Sequence, residues 1–192
     1  MKNEVDGRRE IASRNTAWAN IIARKLTHWG VTPNQISMMS VFFAMVGCLL
    51  LIGTVIYPGF NKYVAYILFI VCMQSRLLCN LFDGMVAIEG GKKSANGDLY
   101  NDMPDRFADA LFIIPVGYVA GGFGIELGWL AALLAVMTAY FRWIGAYKTH
   151  QHFFNGPMAK QHRMALLTLT FVVATCIIYS GYDRMVCLIA LI

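Results

Sequence analysis

Asp83 and Asp105, with Asn80, Asn101 and Asp109 spaced around them, are the residues of this chain best suited to chemistry. Six of its eleven acidic residues lie between Asp83 and Asp109, in a segment pressed between two stretches apolar enough to cross a bilayer. Carboxylates beside hydrocarbon are costly, so they are normally paired, metal-bound or catalytic. Asn80 and Asp83 are three apart, while Asn101, Asp105 and Asp109 step by four, which puts each set on one face of its helix. If those two helices pack together, five oxygen-bearing side chains meet in one cleft. Carboxylate and carboxamide oxygens suit a hard divalent cation, Mg2+ or Mn2+, which keeps waters and substrate phosphate in its shell. Gly84 and Ala87 leave the adjoining helix face bare and Gly97 permits close backbone approach, the room a nucleotide diphosphate needs. A structural alternative is that the acids cap helices and neutralise Lys92, Lys93 and Arg106. It suits Glu89, Asp98 and Asp102, which lie off the aligned faces. Asp109, a turn deeper, is open between metal ligation and pairing with Arg76, Arg106 or Arg142.

A basic group accompanies the acidic one. Lys160 and Arg163 are one helical turn apart at the end of the loop Asn155-Gly-Pro-Met-Ala-Lys160-Gln-His-Arg163, and Arg142 can join them from the preceding apolar run. Such groups can hold a phosphate through charge-assisted hydrogen bonds. They can equally be a snorkelling cluster that sets orientation. His150, His152 and His162 have no convincing ligand geometry, and the five cysteines sit in or beside apolar runs without a zinc pattern.

The elements that must carry these residues are membrane helices. Hydrophobic residues make up 58% of the 192 and charged ones 14%, against roughly 25% charged in a soluble domain. The net charge of +5 does not mark a nucleic-acid binder, because the basic residues lie between apolar runs instead of on one soluble face. The first 30 residues do not read as a cleavable leader. Residues 8–29 predict an amphipathic helix lying on the membrane, with Ile11, Trp18, Ile22 and Trp29 at helical spacing. Thr32-Pro33-Asn34-Gln35 predicts a capping box opening the next helix. Apolar runs then follow at 36–57, 63–82, 107–123, 125–147, 164–180 and 185–192. The expectation is an all-α, six-span membrane bundle (its last span cut short) over residues 33–192, preceded by a juxtamembrane segment, 1–32. The N-terminal 32 residues and the connections 83–105 and 148–163 carry most of the lysines and arginines. The positive-inside rule therefore puts the N-terminus and the acidic segment on the cytoplasmic face. A cation transporter would instead want its acids near mid-membrane.

This pattern resembles the CDP-alcohol phosphotransferase family, whose signature is D-x2-D-G-x2-A-R-x8-G-x3-D-x3-D. The chain reads Asn80-x2-Asp83-Gly84-x2-Ala87-Ile88-x8-Gly97-x3-Asn101-x3-Asp105, with every spacing kept. Asn80 and Asn101 replace two aspartates and Ile88 replaces the arginine, as in a divergent bacterial branch. The resemblance implies a homodimeric inner-membrane enzyme of six spans that takes a CDP-linked lipid donor and an alcohol acceptor and releases CMP. It implies that Asp83 and Asp105, aided by the carboxamides of Asn80 and Asn101, hold divalent metal against the diphosphate, and that Asp105 accepts the acceptor's proton. Gly84, Ala87, Gly97 and Asn80 then border the nucleotide. With Lys160, Arg163 and Arg142 as its phosphate ligands, the acceptor is a phosphorylated polyol and the donor CDP-diacylglycerol. Transfer of a CDP-linked small alcohol onto diacylglycerol, and a non-catalytic homologue that binds CDP-lipid or metal, are the alternatives.

Overall fold

A computed structural model describes residues 16–89, 97–149 and 160–192. Among them the chain is all-helical, with seven α-helices: α1 (Ala17–His28), α2 (Pro33–Ile56), α3 (Lys62–Glu89), α4 (Gly97–Ala120), α5 (Gly124–Thr149), α6 (Lys160–Ile177) and α7 (Asp183–Ile189). A 3-10 turn, Ile178–Ser180, links the last two. The predicted capping box opens α2. Thr32 Oγ1 accepts from the Gln35 amide at 3.3 Å, Gln35 Oε1 accepts from the Thr32 amide at 2.9 Å, and Pro33 occupies the first turn.

Four helices, α2, α3, α5 and α6, are long and apolar enough to cross a membrane, which makes the chain a multi-pass integral membrane protein. The expected third and sixth spans do not meet the same standard. In α4 the apolar part from Phe107 to Ala120 rises about 20 Å, against a hydrocarbon core of roughly 30 Å. The run 185–192 gives the seven-residue α7, which packs on α4 and α6. The signature also begins earlier and ends later in helix than the apolar runs suggest. α3 continues past residue 82 to Glu89, and α4 starts ten residues before 107. Hydropathy marks where a helix meets lipid, whereas backbone hydrogen bonding carries the helix on through polar sequence.

One stripe of α3 organises the bundle. Lys62, Tyr66, Phe69, Met73, Arg76, Asn80 and Asp83 alternate at four and three residues, so they share a face. The stripe is apolar in the middle and polar at both ends. Its centre packs aromatic on aromatic: the Phe69 ring lies 4.5 Å from that of Phe171 on α6 and 5.5 Å from that of Phe112 on α4, centroid to centroid. Gly47 of α2 makes this layer possible, since a Cβ there would come within 2.9 Å of the Phe112 ring. Gly117 and Gly128 do the same for α4 and α5, whose backbones touch; a Cβ on either would stand 3.0 Å from the other's Cα.

α1 docks on the signature end of α3. Ala19 and Ala23 are buried against a cluster containing Leu81, Phe82, Met85 and Val86, and Trp18 meets Phe82 edge-on at 6.1 Å. Small alanines face the protein, while Trp18, Ile22 and Trp29 stay uncovered by it. Residues 8–15 of the expected amphipathic helix lie outside the described residues.

Candidate active site

Side chains from α3, α4 and α6 meet beside the acidic segment through Arg76, Asp105, Asp109 and Arg163. The last turns of α3 bring Asp83, the first turns of α4 bring Asp105 and Asp109, and the start of α6 brings Arg163. Pro104 sits inside α4 immediately before Asp105. A proline there cannot donate one helical hydrogen bond to the turn before it.

The described part of the site is a chain of alternating charges. Arg163 Nη2 donates to Asp109 Oδ2 at 3.0 Å, and Arg76 Nη2 donates to Asp109 Oδ1 at 2.7 Å. The same Arg76 nitrogen lies 3.2 Å from Asp105 Oδ1 and 3.4 Å from the Asp105 carbonyl oxygen. Arg76 and Asp109 are buried, and the Asp105 side chain keeps 17% exposure. Asp105 is thus the more exposed of the two carboxylates in this network. Asp109, left open above between two roles, has each of its oxygens engaged by an arginine. One partner, Arg76, was among the candidates; the other comes from α6.

Asp83 is buried one bundle layer away, where Ser37 Oγ of α2 lies 3.1 Å from its Oδ2. Neutral hydroxyl donation suits a carboxylate that must stay charged in a site of low polarity. Asn80 is half-buried on the same α3 stripe, and Gly84 and Ala87 follow on α3, partly covered. Gly97 and Asn101 fall in α4, but their surroundings, including the Asn101 side chain, lie outside the described residues, as does the Lys160 side chain. Arg142, on α5, enters none of the ion pairs found among the described residues. Ile88 is exposed.

Sequence reasoning missed Ser37 and the central place of Arg76. A serine four residues into an apolar helix was the available sign of the first. An arginine amid the apolar run 63–82 was the sign of the second, because a charge at that depth needs a partner.

Carboxylate and carboxamide oxygens are the donors that suit a hard cation completing its shell from water and substrate oxygens. Among the described residues no three His, Cys, Asp or Glu side chains converge as a metal site. Asp105 and Asp109 are paired with the guanidiniums of Arg76 and Arg163, while Asp83 accepts from the Ser37 hydroxyl. No curated protein matches the sequence. The sequence profile of the CDP-alcohol phosphatidyltransferase family matches residues 30–192.

Proposed function

The chain belongs to the CDP-alcohol phosphatidyltransferase family, transferases that carry out CDP-alcohol phosphotransfer, and on that premise we propose that it moves a phosphatidyl group from CDP-diacylglycerol to a phosphorylated polyol. The acceptor hydroxyl oxygen attacks the phosphorus bearing the diacylglycerol. A phosphorus–oxygen bond forms to the acceptor, the bond to the bridging oxygen breaks, and CMP leaves with that electron pair. The hydroxyl proton passes to the Asp105 carboxylate, the more exposed of the two in the network. Asp83, Asp105 and the Asn80 and Asn101 carboxamides would hold a divalent ion, which when bound supplies charge neutralisation at the diphosphate.

The observation that carries the acceptor assignment is the Arg163–Asp109 bond. It fixes a cation from the start of α6 next to the carboxylates of α4, where an anionic acceptor must approach Asp105. Lys160, one turn away, and Arg142 add to that field. Gly84, Ala87 and Gly97 border the nucleotide. Residues 33–192 make up the transferase domain of six membrane segments, and 1–32 the interfacial segment. The site and the N-terminus face the cytoplasm.

A second reading, a homologue that binds CDP-lipid without turning it over, is favoured by the Arg76–Asp105 contact, because that guanidinium already engages Asp105 Oδ1 at 3.2 Å. The deciding experiment is CMP release from CDP-diacylglycerol, with and without magnesium, across phosphorylated and unphosphorylated polyols. Magnesium-dependent release that requires a phosphorylated acceptor supports the transferase. Donor binding with no release on any acceptor supports the binder.

A further inference from the structure

Three oxygens surround a single nitrogen at the centre of the network. Arg76 Nη2 has Asp109 Oδ1 at 2.7 Å, Asp105 Oδ1 at 3.2 Å and the Asp105 carbonyl oxygen at 3.4 Å. Two carboxylate oxygens and a carbonyl converging on one point are the donor set a hard divalent ion takes. An amino group carrying two hydrogens cannot direct a short bond to each of three acceptors, so this cradle serves its positive charge more than its hydrogen bonding.

The rest of the guanidinium agrees. Arg76 is fully buried, yet its Nε and Nη1 have no hydrogen-bond partner among the described residues. Buried donors left unmade are costly, and a residue kept for its hydrogen bonds would not leave most of them unused. Charge in that one place accounts for the residue. Arg163 holds the far oxygen of Asp109 and so keeps the cradle in shape. The sequence shows the complement, since two acids of the family pattern are here the neutral Asn80 and Asn101.

We propose that the Arg76 guanidinium is the resident cation of this centre, its Nη2 filling an oxygen cradle between Asp105 and Asp109 that a divalent ion would otherwise take. The chain then has room for a single ion, on the Asp83 side. This rests on the reading of Asp83 and Asp105 as metal ligands, and its test needs no turnover.

Manganese binding to the full chain in detergent, followed by electron paramagnetic resonance, compares wild type with Arg76→Gln and Arg76→Lys. Arg76→Gln should gain one ion per chain, or bind manganese at least tenfold more tightly, while Arg76→Lys, which keeps a point charge in the cradle, should match wild type. Equal count and affinity in wild type and Arg76→Gln overturn the proposal. Anomalous scattering from manganese-soaked wild-type crystals gives an answer even if Arg76→Gln does not fold. A peak near Asp83 with none between Asp105 Oδ1 and Asp109 Oδ1 supports it, and a peak between those two oxygens overturns it. A wild type that releases no CMP while Arg76→Gln gains its ion supports the resident cation and removes the transferase reading.

Discussion

The α3 stripe ends in two polar clusters that are built on opposite plans. At the signature end, Arg76 and Arg163 alternate with Asp105 and Asp109 across three helices, and buried Nε and Nη1 groups of Arg76 remain without partners among the described residues. About 15 Å away along the helix, Tyr66 Oη donates to Asp183 Oδ2 at 2.9 Å and Lys62 Nζ approaches the same oxygen at 3.4 Å. That second cluster joins α3 to α7 with one acid, one hydroxyl and one half-exposed ammonium, and no buried donor there is left over. The aromatic layer of Phe69, Phe112 and Phe171 separates the two. A cluster that only ties helices together can be small and satisfied. A cluster that must meet a charged substrate carries more charge than its own bonds use.

That contrast can be broken in order of expected effect. Asp105→Asn removes the proposed proton acceptor, and CMP release should fall about 10²–10⁴-fold with the melting temperature little changed; a loss under tenfold would take Asp105 out of the chemistry. Arg163→Ala should raise the acceptor KM about 10–100-fold, as loss of a charge-assisted hydrogen bond implies. The donor KM should stay within about twofold, and equal rises in both would argue for a structural arginine. At the other end the sign of the contrast reverses. Asp183→Asn should cost about 1–3 kcal/mol of stability, read as a lower melting temperature, with kcat within about twofold of wild type. Tyr66→Phe should do the same more weakly, by about 1–2 kcal/mol. If either outer variant lowers kcat more than Arg163→Ala changes the acceptor KM, the two clusters are not independent.

How far the sequence carries depends on the range of each interaction. Thr32, Pro33 and Gln35 lie within one turn, and their capping box is legible because local geometry alone determines it. The spacing from Asn80 to Asp105 is equally local in its repeats, and it identified the family that the profile match shows over residues 30–192. Asp109 could be assigned to an arginine but not to the right pair, since Arg163 lies 54 residues on and reaches it only through the rotation of α6. The Tyr66–Asp183 bond spans 117 residues and left no mark in either neighbourhood. Composition marks six apolar runs, and among the described residues four of them form helices long and apolar enough to cross a membrane; the polar start of α4 and its prolines at 104 and 115 set that helix apart from those four.

The backbone contact of Gly117 with Gly128 has a mechanical consequence. Helices touching at their main chains have no side-chain cushion to compress, so α4 and α5 must travel as one stiff strut. α6 packs on α3 and α7 and reaches α4 at the signature end through the Arg163–Asp109 bond, so that one ion pair is what ties it to the strut there.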